Sequence, residues 1–158
     1  MTGRAAVACL GNRFRGDDAV GLLVADRLRA AGVDVQECED EPTRLLDTWA
    51  GLDLLVLVDA VRSGAPPGTV HRVDASAGKL PDDISLTSSH AFGVAQTIEL
   101  AGALGRLPAK VVVLGVEGAS FAAGTAVAPA VAAAVDGVVA QVLRELVTTA
   151  RVSIPKKA

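Results

Sequence analysis

Three uninterrupted apolar runs constrain this chain more than anything else in it. "AAVACL" (Ala5–Leu10), "DLLVLVDAV" (Asp53–Val61) and "KVVVLGVEG" (Lys110–Gly118) are short and lack the polar alternation of a half-solvated strand. Strands of this kind are covered on both faces. Between them the apolar period becomes that of a helix. Val20, Leu23, Val24 and Leu28 form one stripe, with Asp26, Arg27 and Arg29 off it and Gly32 placed as a C-cap. A second stripe, Val131, Val135, Val138, Val142 and Leu146, predicts a helix from Pro129 to about Thr149. "VDVQEC" (Val33–Cys38) alternates and reads as a strand. Pro42 opens a short helix that turns Leu45, Leu46 and Trp49 inward and stops at Gly51. After the turn "RSGAPPG", "TVHRVD" (Thr69–Asp74) returns as an edge strand; residues 75–89 read as a polar loop, and a helix follows from about His90 to Leu104.

The order is β-α-β-α-β-β-α-β-α. It predicts one three-layer α/β/α domain over residues 1–150, with helices on both faces of a twisted, mostly parallel sheet. About five strands are expected, one an antiparallel edge strand. Residues 151–158 are expected to fray. At 158 residues the chain has the size of one domain, and a hydrophobic content of 51% excludes intrinsic disorder. Aromatics are only 3%, net charge is −3 and no basic patch stands out, so a nucleic-acid partner is not expected. Cys9 and Cys38 fall outside any C-x-x-C spacing and read as small hydrophobes in a reducing compartment. No apolar run suits a signal peptide or a membrane span of roughly 20 residues. The expectation is a cytoplasmic monomer with no membrane contact.

Ligands of open α/β sheets gather at the carboxyl ends of the strands. The polar residues that interrupt the apolar pattern fall there: Asn12, Asp17 and Asp18 after the first strand, Asp59 at the end of the third, and Glu117 at the end of the last. His90 opens the helix after the long loop. Each has a bland alternative. Asp59 is equally readable as a cap for loop N–H groups. Acids in a first helical turn are favoured by the macrodipole alone, which is the better reading of Asp17 and an open one for Asp18. A histidine at a helix start is more often structural than a ligand, and Ser88 and Ser89 beside it suit N-caps. The other histidine, His71, sits in the predicted edge strand with no acidic neighbour of note. Taken together, Asp18, Asp59 and His90 would present two carboxylates and an imidazole to one cleft, a set suited to nickel, zinc or iron with an open position. Glu117, Asn12 and Asp17 form a second tier, as substrate-binding or network residues. A Ser-His-Asp hydrolase lacks its G-x-S-x-G elbow here.

"GNRFRGDDAVG", "VADRL", "LVLVDAV", the "SGAPPGTV" turn, "SSHAFG", "LPAKVVVLGVEG" and a final "APAVAAAV" occur in that order. The set resembles the hydrogenase maturation endopeptidases, over most of the chain from about Cys9 to Leu143. That resemblance implies an aspartic-type endopeptidase that trims the C-terminal extension from a nickel–iron hydrogenase large-subunit precursor. It implies a metal-binding cleft made by Asp18, Asp59 and His90, which also carry catalysis. The nickel would come with the substrate rather than be permanently bound, and other divalent ions could substitute. Attack would use a metal-polarised water or a carboxylate base. The sequence departs from the family pattern at Cys9 and Ala19, where glycine is usual, and at Ala128–Pro129, where Ser-Pro is usual and a helix cap worth roughly 1 kcal/mol is lost. Two rival readings are a non-catalytic nickel sensor using the same ligands and a flavodoxin-like nucleotide binder. The first loop has neither G-x-G-x-x-G nor the P-loop lysine that the latter requires.

Overall fold

The computed structural model describes residues 3–39, 42–81, 85–86 and 93–153. Strand β1 (Ala5–Leu10) leads through a 3₁₀ turn (Gly16–Ala19) into helix α1 (Val20–Ala30). Strand β2 (Gln36–Cys38), a second 3₁₀ turn (Pro42–Leu45) and the single turn of α2 (Leu46–Trp49) follow. Then come β3 (Leu54–Arg62), β4 (Val70–Asp74), β5 (Ser85–Leu86), α3 (Val94–Ala103), β6 (Lys110–Glu117) and α4 (Pro129–Ser153).

The sheet runs β2-β1-β3-β6-β4. Its first four strands are parallel, and β4 closes the far edge antiparallel to β6, as the edge-strand reading requires. The apolar runs behave as strands buried on both faces. Val7, Cys9, Leu54, Val56, Val58, Ala60, Val112, Leu114 and Val116 pack beneath α1 and α4. Leu55, Leu57, Val111 and Val113 pack on the opposite side with Trp49 of α2 and Ile98 of α3. On α4 the stripe Val131, Val135, Val138 and Val142 is buried. At about 1.5–3 kcal/mol for each such side chain, that face alone accounts for its docking. Leu146 packs at the margin of the same cluster.

Some expectations need correction. Of the predicted strand Val33–Cys38 only the last three residues pair with β1. Its first half is engaged elsewhere: Val33 N–H donates to Leu28 O at 2.9 Å and the Arg29 guanidinium donates to Val35 O at 3.2 Å. The stretch taken as continuous loop contains β5, antiparallel to the end of β3. Described helix α3 begins at Val94, where Gly93 N–H donates to Gln96 Oε1 at 3.0 Å; the predicted start near His90 lies outside the described residues. Helix α4 continues to Ser153, past the expected Thr149.

Candidate functional site

Strand β3 outlasts its neighbour. Its register with β1 ends at Cys9↔Val58, while its own last residues take β5 as partner through Val61↔Leu86 and Arg62↔Ser85. Asp59 and Ala60 lie between these two partners, at the carboxyl edge where such sheets place ligands. Residues two apart on a strand share a face, so Asp59 lies on the face of Leu55 and Leu57, the α3 side. Across the ladder Asp59 pairs with Gly115. A Cβ at that glycine would stand 2.4 Å from Val61 Cγ1, so a side chain beside Asp59 would force Val61 to shift.

The second acid arrives on the loop after β1. Asn12 Oδ1 accepts the Phe14 N–H at 2.9 Å, and Asn12 N–H donates to Asp18 O at 3.1 Å, folding the loop back on itself. Gly21 then lets α1 sit on the strand ends: a Cβ there would be 2.2 Å from Leu10 O and 3.0 Å from Val58 O. Ala19 has φ −77°, so the glycine usual there in the resembled family is not needed for the turn.

The two adjacent acids do different work. Asp17 is fully buried, and its carboxylate accepts three backbone N–H groups: Ala119 at 2.6 Å and Ser120 at 3.0 Å on Oδ2, and Ala128 at 2.7 Å on Oδ1. It ties the first loop to the chain between β6 and α4. The carboxylate also sits beside the first turn of α4, where negative charge suits the helix dipole and partly replaces the missing Ser cap. Asp18 is also buried, but it faces Arg15, whose Nη1 lies 3.7 Å from Asp18 Oδ2. Asp59 accepts the Ala60 N–H on Oδ1 at 2.8 Å. Burial pushes the Asp59 carboxyl well above the usual range, the charge of Asp18 pushes it further, and the Ala60 N–H opposes both. Two buried carboxylates, one of whose charge acts on the other, are oxygen donors that could hold a divalent cation, which would relieve burial cost and repulsion together. Among the described residues no group of three His, Cys, Asp or Glu is arranged to hold a metal. His90, the third proposed ligand, lies outside the described residues, as do Ser88 and Ser89.

Glu117 caps the end of β6 and is enclosed. It accepts the Ser63 N–H at 2.9 Å on Oε2 and the Ser63 hydroxyl at 2.5 Å on Oε1, and His71 Nε2 lies 3.1 Å from Oε1. Burial alone would raise its pKa; the bonds from Ser63, His71 and the Gly64 N–H together outweigh this and lower it. The histidine read as lacking an acidic neighbour therefore has one, supplied from two strands away in sequence and adjacent in the sheet. Ser63 and Arg15 were missed altogether, because a turn serine and one loop arginine carry no local signal. Cys9 and Cys38 are buried thiols; burial, then the charge of Glu37, pushes the Cys9 thiol up to about 12.

The fold is that of a three-layer α/β/α protein with two buried acids, Asp18 and Asp59, at the carboxyl edge of its sheet. The chain belongs to the hydrogenase maturation protease family, whose model matches residues 25–145, a span that contains Asp59 and His90 and begins after Asp18. It is 27% identical over 113 residues to the hydrogenase expression/formation protein HupD of Thiocapsa roseopersicina, and it spans about half, 51%, of that relative's length. Among solved structures it is similar to the hydrogenase maturating endopeptidase HybD from E. coli (25% identity, 92% of this chain and 93% of that one, TM-score 0.75). The [NiFe] hydrogenase maturation protease HybD from Thermococcus kodakarensis matches with the same identity and TM-score, over 90% of this chain and 99% of its own.

Proposed function

We propose that this chain is an endopeptidase that removes the C-terminal extension of a nickel–iron hydrogenase large-subunit precursor after nickel insertion. In this reading it senses the metal through Asp18, Asp59 and His90. The observation that carries the proposal is the buried pair Asp18 and Asp59 at the carboxyl edge, on a fold shared with named maturation endopeptidases. Asp17 and Glu117 are committed to backbone and loop bonds, and Asp18 and Asp59 are the acids this reading assigns to the metal. Nickel enters as part of the substrate, and other divalent ions are chemically suited to the same oxygens.

Cleavage of the tail is a hydrolysis: a water oxygen attacks the peptide carbonyl carbon, the C–N bond breaks and the amine leaves with a proton. That water is polarised by the substrate's nickel or gives its proton to a carboxylate, and a carboxyl held above its usual range, as Asp59 is, suits the second role. Buried thiols and a modest negative charge suit a cytoplasmic monomer. Among the described residues no helix is long and apolar enough to cross a membrane.

The test is intact-mass analysis of nickel-loaded and nickel-free precursors incubated with the purified protein. Shortening of the loaded precursor alone is expected. No shortening of any loaded precursor, with nickel binding retained, would favour the sensor reading instead.

A further inference from the structure

The turn that carries Asp18 also carries a cation. Arg15 Nη1 lies 3.7 Å from Asp18 Oδ2, within ion-pair range but too far for a hydrogen bond. That nitrogen is enclosed and has no hydrogen-bond partner among the described residues. Arg13, two residues earlier, is held quite differently. Its Nη1 donates to Asp26 Oδ2 at 3.0 Å, and its Nη2 donates to Asp26 Oδ1 at 3.0 Å and to Glu37 Oε1 at 2.6 Å. One loop thus presents one clamped arginine and one whose Nη1, among the described residues, meets a proposed ligand by charge and not by a hydrogen bond. The Arg15 side chain is 30% exposed, so it has a path to solvent.

We propose that Arg15 is a removable countercharge for Asp18, which disfavours free divalent cations in the crevice and yields to a metal delivered by a docked substrate. The inference rests on the reading of Asp18 and Asp59 as metal-facing ligands. A guanidinium beside Asp18 supplies part of the compensation that a metal would supply, and it repels an incoming cation at short range. A free ion must therefore displace Arg15 with its own ligand bonds only. A metal carried by a protein substrate arrives with further docking contacts that offset the displacement. Because no hydrogen bond to a described residue fixes Arg15 Nη1, moving it breaks no such directional bond there. Discrimination between free and substrate-borne metal then comes from a repulsive element placed against the wrong ligand. Arg15 is in this sense a positioning and specificity residue, not a catalytic one.

The experiment titrates Ni²⁺, and separately Zn²⁺, into the metal-stripped full chain near neutral pH by calorimetry. It compares wild type, Arg15→Gln, Arg15→Lys, Asp59→Asn and the Arg15→Gln/Asp59→Asn pair. Arg15→Gln should bind at least about tenfold more tightly than wild type, equivalent to about 1.4 kcal/mol. Arg15→Lys should stay near wild type, and Asp59→Asn should abolish the gain. Unchanged or weaker binding by Arg15→Gln, with Asp59→Asn still lowering wild-type affinity, overturns the role of Arg15 and leaves the metal reading standing. Absence of binding in every variant, Arg15→Gln included, overturns this inference and leaves the reading of a substrate-borne metal to the precursor cleavage assay. Arg15→Met serves as the neutral variant if Arg15→Gln does not fold.

Discussion

Replacing Asp17 separates the structural acid from its neighbour and has a magnitude that follows from its bonds. Asp17→Ala deletes one fully buried carboxylate and strands the N–H groups of Ala119, Ser120 and Ala128. Hydrogen bonds to a charged group contribute about 1.5–3 kcal/mol each, so three would sum to roughly 4–9 kcal/mol if none were replaced. Ala119 and Ser120 are exposed residues, and their N–H groups can turn to water once released. The expected loss therefore falls just below that range, about 3–4 kcal/mol, against a total stability of about 5–15 kcal/mol. Asp17→Asn should cost roughly half as much. Its amide oxygen can keep two of the bonds, while the NH₂ group faces a backbone donor and the charge is gone. Urea unfolding of the three proteins measures both differences, with the denaturant slope unchanged if the native fold persists. A loss below about 1 kcal/mol for Asp17→Ala would refute the assignment of this acid as the tie between the two loops.

Two further expectations concern the neighbouring acids. The Asp59 carboxyl is held above its usual range, so its contribution to stability is fully present at low pH and is lost as pH rises through the raised pKa. Asp59→Asn should accordingly raise the melting temperature at neutral pH and flatten its decline from acid to neutral, while impairing the site; a lower melting temperature at neutral pH would contradict this. Glu117 has the opposite sign, because its pKa is lowered in the fold: its stabilisation is present above the ordinary carboxylate range and fades as pH falls through the lowered value. Glu117→Gln should cost about 1–3 kcal/mol at neutral pH, and the difference from wild type should shrink in acid, as read by denaturant titration at both conditions.

Most of the fold was legible because burial on both faces writes itself into β1, β3 and β6 as unbroken apolar runs. Parallel pairing followed from alternation with helices and the antiparallel edge strand from the turn before it, whereas its partner, β6, did not show in the sequence. What the sequence could not show was pairing that depends on what neighbours leave open. β5 is two residues within a polar stretch and exists as a strand because β3 extends beyond β1. Val33–Val35 alternate like a strand, yet the end of α1 claims their backbone. In the site, acids that interrupt apolar runs were visible as anomalies, which is how Asp59 and Glu117 stand out. Their division of labour was not visible. Asp17 and Asp18 are adjacent and chemically identical, and only the distant N–H groups of residues 119, 120 and 128 make one structural. Arg15, Ser63 and the His71–Glu117 contact depend on tertiary approach and leave no local pattern.

The central claim is that Asp18 and Asp59 act on the substrate's metal. It is tested most directly by single-turnover cleavage of a nickel-loaded precursor by wild type, Asp18→Ala, Asp59→Ala and His90→Ala. Circular dichroism should first establish that each variant is folded. Loss of about 100-fold or more in each folded variant is the predicted result. Cleavage within about threefold of wild type by folded Asp18→Ala or Asp59→Ala would contradict it, placing the chemistry elsewhere on the molecule.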